Sequence, residues 1–198
     1  MPELSKVLYA TDGTDFQGAV KYHYSLALKR AAKFLVIFVP LFVLNFVLRL
    51  GYLLPLQIVG FLGAVITLIV FSSHVSWIRR CARVFRSYPL EFRGPVDKVR
   101  IDSRKFLLGF GEEGGGDRPR LMALAPMGRG GRPADFPHGI WFAGDDAFGG
   151  AAIVAGSGEL LFLQPSDWGR TAEERTNAGE ERAEKARRAG IKGRVVLR

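Results

Sequence analysis

Cysteine and histidine are scarce in this sequence of 198 residues. Cys81 is the only cysteine, which excludes an intramolecular disulfide and a zinc cluster built on cysteines. His23 and His74 flank the apolar part of the chain, but two imidazoles without a carboxylate or thiol make a poor metal site. No G-x-S-x-G frame surrounds Ser157, so its glycines indicate a turn rather than a nucleophile. We therefore predict no catalytic residue, no metal and no cofactor.

Charge is almost missing from residues 34–78, where Arg49 is the only charged residue among 45. About 20 helical residues cross a hydrocarbon core of ~30 Å. One straight helix of this length would be roughly 67 Å long, which is too long for a single crossing. Gly51 and Pro55 mark a break after Arg49, because glycine ends helices readily and proline fits the first turn of a helix. The sequence therefore predicts a transmembrane hairpin over residues 32–78, with helices Ala32–Leu48 and Leu54–Ile78. A buried soluble hairpin is the alternative, but the rest of the chain is too small to cover two helices that are apolar all round.

Basic residues fix the predicted orientation of the hairpin. Residues 1–33 contain five lysines and arginines, and residues 79–105 contain nine against three acids. The turn contains only Arg49, so the positive-inside rule places both termini in the cytoplasm and makes this a multi-pass protein of the plasma (inner) membrane. The formal net charge is +9, and residues 79–105, beside the predicted membrane, supply +6 of it (nine bases less three acids). We therefore expect anionic lipid, and not nucleic acid, to supply the counter-charge.

Two segments flank the hairpin on this cytoplasmic side. Residues 1–31 form a leader, in which the spacing of Thr14 and Gln17 predicts a short interfacial helix, with a frayed leader as the alternative. Residues 79–89 extend the second span as a basic juxtamembrane helix that ends before Pro89. An apolar stripe on this extension, which includes Cys81, is expected at the membrane interface. Four arginines around the stripe are predicted to contact lipid headgroups: Arg79, Arg80, Arg83 and Arg86.

Residues 90–168 form the predicted small β domain. Short apolar runs bounded by turn residues predict five or six mainly antiparallel strands. The runs are Pro95–Ile101, Lys105–Phe110, Arg120–Ala125, Gly139–Ala143, Gly150–Ala155 and Glu159–Gln164. Residues 169–198 form a charged helix and tail, with a helix over 171–189, a capping box at Thr171 and Glu174, and Gly190 as C-cap. Its apolar stripe consists of alanines, which indicates a solvated helix or a weak docking face. The predicted fold class is thus an α+β membrane protein.

The stretch GIWFAGDDAFGG places two adjacent acids, Asp145 and Asp146, between two predicted strands. A tight turn explains them, because aspartate bonds its own backbone there. A partner contact and a catalytic or metal loop that includes His138 are the alternatives. Within the hairpin, Asn45 and Gln57 are polar near mid-membrane, and Gly60 and Ala64 form a small-xxx-small face. These four predict helix packing within the hairpin or between copies.

The segments FRSYPLEFRGPVDKV, WFAGDDAFGG and ELLFLQPSDW, with the two spans before them, resemble uncharacterised two-span membrane proteins of actinobacteria, including streptomycetes. The resemblance covers most of residues 30–190. It implies membrane location and architecture but brings no activity or catalytic residue with it. We therefore expect a non-enzymatic membrane anchor that presents a small cytoplasmic β domain to a protein partner. A homo-oligomeric pore or transport accessory subunit, and a membrane-bound enzyme of unknown class, are the alternatives.

Overall fold

The protein is an α+β fold with a helical region and an antiparallel half-barrel sheet. The computed structural model describes residues 16–48, 51–94, 96–100, 105–110, 120–124, 139–169 and 171–191. The chain divides into two compact units. The hairpin unit is Lys21–Trp77, and the β unit is Ile78–Arg198 together with Met1–Val20.

The first helix, α1, runs from Phe16 to Leu48 without a break. The helix predicted in the leader is continuous with the helix predicted to begin at Ala32. The physical reason is local: residues 19–39 contain neither glycine nor proline, and alanine, leucine, lysine and arginine favour helix throughout the junction. Thr14, half of the predicted capping pair, lies outside the described residues.

The second helix, α2, spans Leu54–Ser87 and follows a single 3-10 turn at Gly51–Leu53. It ends at Ser87, as Pro89 predicted. In the part of the chain that the structure describes, α2 is the one helix long and apolar enough to cross a membrane. Only 6% of its most apolar window is buried within the protein, whereas the core helix of a soluble protein would be mostly buried.

Seven strands make up the sheet. All six predicted strands are present with ends shifted by up to two residues, and the short first strand was missed because Phe92 is its only apolar residue. The strands are β1 (Glu91–Arg93), β2 (Val96–Arg100), β3 (Lys105–Phe110), β4 (Arg120–Leu124), β5 (Ile140–Asp145), β6 (Gly149–Val154) and β7 (Leu160–Pro165).

The strand order is β1-β5-β6-β7-β4-β3-β2, and every neighbouring pair is antiparallel. Two three-stranded meanders, β2–β4 and β5–β7, are joined where β4 pairs with β7, with Ala123 opposite Leu163. Alternate positions on these strands point to one face and form the main core. Its buried members are Leu108, Leu121, Ala123, Ile140, Phe142, Ala152, Val154, Leu161 and Leu163.

The second face of the sheet centre is also covered. All six residues of β6 are buried, so groups from outside the sheet must shield the side chains that point away from the main core. The β unit contains buried apolar residues of matching character at the end of α2 and in the C-terminal segment: Ile78, Cys81, Val84, Phe85, Ala186, Ala189 and Ile191. The apolar stripe that ends α2, expected at the membrane interface, is therefore packed inside protein, and the alanine face of the C-terminal segment is buried at Ala186 and Ala189.

The C-terminal segment forms two helices, α3 (Ala172–Asn177) and α4 (Gly179–Arg188). The single helix predicted over 171–189 is wrong because Gly179 has φ +78°, in the left-handed region that interrupts a helix. The predicted capping box does not form, since the Thr171 hydroxyl donates to the carbonyl of Asp167 instead. The C-cap at Gly190 is confirmed: its φ is +78°, and the next amide, of Ile191, donates to the carbonyl of Ala186 at 3.0 Å.

Candidate functional site

The two adjacent acids lie in a tight turn between β5 and β6. Asp145 is the last residue of β5 and pairs directly with Gly149, the first residue of β6. The Ala147 amide donates to Asp145 Oδ1 at 3.0 Å, and the Phe148 amide donates to the Asp145 carbonyl at 3.1 Å. An aspartate that bonds its own turn in this way stabilises the reversal of the chain. The sequence left open a structural turn, a partner contact and a catalytic or metal loop. The observed geometry is that of the structural turn.

The glycines around the acids have a packing role. Gly149 has φ +101°, and a side chain there would place Cβ 2.5 Å from the carbonyl oxygen of Leu163. Gly144 and Gly150 lie opposite each other on β5 and β6, and the ring of Phe142 lies close over both. Only residues without Cβ permit this close approach of backbone to ring.

Asp145 links the turn to α4. Its Oδ2 accepts two hydrogen bonds from Arg182, from Nε at 3.0 Å and from Nη2 at 2.7 Å. The Asp145 side chain is only 9% exposed, so its charge is largely removed from water and needs this partner. The hydrogen bond and the negative charge of Asp145 raise the pKa of the Arg182 guanidinium.

Asp146 links the same turn to β1. Its carboxylate accepts from Arg93, with Nη1 to Oδ1 at 2.5 Å and Nη2 to Oδ2 at 3.3 Å. The guanidinium carbon of Arg93 also lies 4.1 Å from the centroid of the Phe142 ring. A planar guanidinium suits both contacts, because it can fork a carboxylate and stack on an aromatic face. The Asp146 side chain is 43% exposed, so this carboxylate is more open to solvent than that of Asp145. Its arginine is the more covered of the two, since the side chain of Arg93 is 21% exposed and that of Arg182 is 58% exposed.

A third arginine, Arg175 of α3, holds the backbone of the turn and of the preceding loop. Its Nη1 donates to the carbonyl of Ala147 at 3.3 Å and to the Thr171 hydroxyl, and its Nη2 donates to the carbonyl of Trp168 at 2.6 Å. The guanidinium carbon lies 4.0 Å from the Trp168 ring centroid. Burial lowers the pKa of Arg175. We name the whole arrangement the arginine clamp: the turn Asp145–Ala147 with Arg93, Arg175 and Arg182.

Tyr88, just after α2, lies beside the clamp. Lys185 Nζ lies 4.5 Å from its ring centroid, which brings α4 to this end of α2. The phenol oxygen is buried and makes no hydrogen bond to any residue that the structure describes. Burial, and then the negative charge of Asp145, raise the pKa of Tyr88.

The chemistry available at the clamp is limited by these pairings. Both carboxylates are engaged by arginines, and the contacts that the structure gives them are those of a structural link between elements. Within the described ranges, no group of three or more His, Cys, Asp or Glu is placed to hold a metal ion. His138, the third member of the enzyme hypothesis, lies outside the described residues, and the Cys81 thiol is buried. The clamp therefore joins β1, α3 and α4 to one turn.

The residues predicted for helix packing fall in the hairpin unit. A Cβ on Gly60 would collide with the backbone of α1 at Phe38, Leu41 and Phe42, so the two helices come together there. Gln57 and Ala64 are half-buried on α2, and the side chain of Asn45 lies outside the described set. The four arginines predicted to contact headgroups, Arg79, Arg80, Arg83 and Arg86, are all exposed on α2.

Sequence reasoning missed the three arginines of the clamp. They bond to the turn across 53, 28 and 37 positions of the chain, for Arg93, Arg175 and Arg182 respectively. No short-range sequence pattern predicts contacts between residues so far apart in the chain. No protein-family model matches this chain, and neither a curated protein nor a solved structure matches it. Function can therefore be inferred only from the residues and contacts of the chain itself.

Proposed function

We propose that this protein is a non-enzymatic membrane anchor, in which a two-span hairpin in the inner membrane presents a clamped β unit to a cytoplasmic protein partner. The observation that carries the proposal is the position of the exposed large apolar side chains. Among the described residues, every exposed large hydrophobic side chain except that of Phe92 lies between Leu28 and Val70 on α1 and α2. A soluble domain does not leave so large an apolar surface uncovered, and a lipid bilayer would cover it.

A polar group within α2 supports the same proposal. The Thr67 hydroxyl donates to the Gly63 carbonyl at 2.7 Å. Hydrocarbon offers no hydrogen-bond partner, so polar groups there must be satisfied within the protein. The close approach of the helices at Gly60 is likewise the packing that small residues allow between spans.

The clamp supports the non-enzymatic part of the proposal. Charges that are paired with arginines stabilise a shape, and a rigid shape is what a partner-binding surface needs. Both termini are placed in the cytoplasm by the basic residues on that side. Anionic lipid would lie against this side of the bilayer, and nucleic acid is not the proposed counterpart of the positive charge.

Topology is the first test. A reporter fused after residue 105 should read cytoplasmic, and a cysteine placed at residue 50 should react with a membrane-impermeant thiol reagent added from outside. The native Cys81 is buried, which makes the wild-type protein the matched unlabelled control. An external reading at residue 105, or extraction of the protein by alkaline carbonate, would contradict the anchor.

Partner capture is the second test. The tagged full-length protein is purified from its native membranes in mild detergent, and the mass of the intact complex is measured. A second protein at fixed stoichiometry supports the proposal. A defined homo-oligomer without a partner would support the pore or transport accessory alternative in its place, and a strictly monomeric protein would contradict both.

A further inference from the structure

The register of the two helices in the hairpin unit fixes which residues lie level with each other. Gly60 packs against the peptide between Leu41 and Phe42, and Gly63 packs against the ring of Phe38. The rings of Phe42 and Phe61 agree with this register, with centroids 5.7 Å apart. Because antiparallel helices rise equally, each residue toward Trp77 on α2 is matched by one residue toward Lys21 on α1.

When this register is extended from Gly60 and Gly63 toward Trp77, it places three cations of α1 beside the apolar part of α2. Lys33 lies level with Leu68, and Lys29 and Arg30 lie level with Phe71 and Ser72. All three cations are exposed. They lie away from the buried stripe of α1, which consists of Ala19, His23, Ala27 and Ala31.

The exposed apolar surface stops at the same level on both helices. On α2 the last exposed large hydrophobic residue is Val70, and on α1 only Leu28 lies beyond Phe34 toward the N-terminus. From Leu54 to Val70 the helix rises about 24 Å. This nearly fills a hydrocarbon core of ~30 Å, and the long side chain of Lys33 can snorkel across the remainder.

Trp77 cannot lie at the same boundary. The register places Trp77 level with Tyr24, about 7 Å beyond the level of Lys29 and about 13 Å beyond that of Lys33. If Trp77, which precedes the extension predicted at the membrane interface, lay at headgroup depth, all three cations of α1 would be drawn into hydrocarbon, where charged side chains are costly. The boundary at Lys29–Lys33 avoids this cost.

We propose that the cytoplasmic headgroup layer lies at Lys29, Arg30 and Lys33, that these three cations bind anionic phospholipid headgroups, and that α1 and α2 continue beyond the bilayer as a helical stalk. This inference rests on the proposed two-span anchor and moves the end of the second span from Ile78 to near Val70. It also transfers the headgroup contact from the four arginines after Trp77 to the three cations of α1. Each cation near an anionic surface adds about a fivefold preference for it.

Tryptophan depth tests the boundary. The full-length protein is reconstituted in phosphatidylcholine vesicles with or without brominated acyl chains, and emission is compared among wild type, Trp77→Phe and Val36→Trp. Val36 is 73% exposed in the apolar part of α1, so its tryptophan reports insertion. We expect bromine to remove about half of the emission added by Val36→Trp, since this site lies within the hydrocarbon, and to leave the emission of Trp77 unchanged.

The other outcomes separate the two proposals. Quenching of both Trp77 and the Val36→Trp probe would overturn the boundary while the anchor stands. No quenching of the Val36→Trp probe would overturn the anchor, and the boundary with it.

Lipid preference tests the binding site. Spin-labelled phosphatidylglycerol and phosphatidylcholine are compared for association with the reconstituted protein. The triple variant Lys29→Gln/Arg30→Gln/Lys33→Gln should lose the preference for phosphatidylglycerol, whereas the matched triple Arg79→Gln/Arg80→Gln/Arg86→Gln should keep it. The charge-retaining triple Lys29→Arg/Arg30→Lys/Lys33→Arg should also keep it, which separates loss of charge from loss of fold. Loss in the matched Arg79 triple, or no preference in the wild type, would overturn the site.

Discussion

The hairpin unit and the β unit use the same kinds of side chain in opposite ways. In the hairpin unit, valine, leucine, isoleucine and phenylalanine point outward, while small or polar residues such as Gly60, Ala27 and His23 lie where the helix surfaces are covered. In the β unit, large apolar residues fill the interior, and arginines tie the outside together. Burial of apolar surface drives folding only where water is the alternative. The contrast supports the proposal that a bilayer, rather than water, surrounds the hairpin unit.

The largest expected effect is the loss of a core ring. Phe142 is 1% exposed and covers the glycines of β5 and β6, so Phe142→Ala should lower the free energy of unfolding of the β unit by about 3–5 kcal/mol. Denaturant titration in mild detergent, followed by tryptophan emission, measures it. The control Val36→Ala removes an outward side chain and should leave this transition in place. Equal losses in both variants would remove the distinction between the units.

A side chain on Gly60 should have the next largest effect. Gly60→Val would push the backbone of α1 away and destabilise the hairpin by about 1–3 kcal/mol, the usual cost of overpacking. Gly51→Ala is the matched control, because no atom lies near enough to meet its Cβ. Thermal melts followed by far-ultraviolet circular dichroism in detergent compare them. A Gly60 variant as stable as the Gly51 variant would mean that the helices do not pack at this position.

The two acids of the turn should differ in their contribution to stability. Asp145→Asn weakens the ion pair of a carboxylate that is 9% exposed and accepts two hydrogen bonds from Arg182, and it should cost about 1–3 kcal/mol. Asp146→Asn affects a carboxylate that is 43% exposed and should cost less than about 1 kcal/mol. Denaturation midpoints of the β unit rank them, and a larger loss at Asp146 would contradict the assigned burial.

The smallest effect at neutral pH is expected for Tyr88→Phe. The folded protein raises the pKa of Tyr88 above that of the unfolded chain, so the folded state holds the phenol proton more tightly. The stability that Tyr88 contributes by holding its proton is fully present below about pH 10, the pKa of the unfolded chain. It is lost as pH rises through the pKa of Tyr88 in the folded state. The Phe variant lacks this loss, so its denaturation midpoint should fall less between about pH 8 and about pH 11. An equal fall in both proteins would show that Tyr88 does not titrate differently on folding.

Local patterns predicted the elements well and their ends less well. Apolar runs located six of the seven strands, and the absence of charge located the two long helices. The patterns failed at Gly179, where one residue in the left-handed region divides a helix. The turn at Asp145 was predicted from its sequence, but its three arginine partners were not.

The sequence by itself determined which segments are apolar, where strands and helices form, and where along the chain the basic residues accumulate, because these properties depend on neighbours within a few residues. Only the tertiary structure decided that β4 pairs with β7, that the stripe ending α2 is covered by protein, and that Arg93 and Arg182 engage Asp146 and Asp145. It also decided the register of the hairpin at Gly60. Each of these joins residues that are distant along the chain, and a contact of that kind is fixed by packing in three dimensions rather than by local spacing.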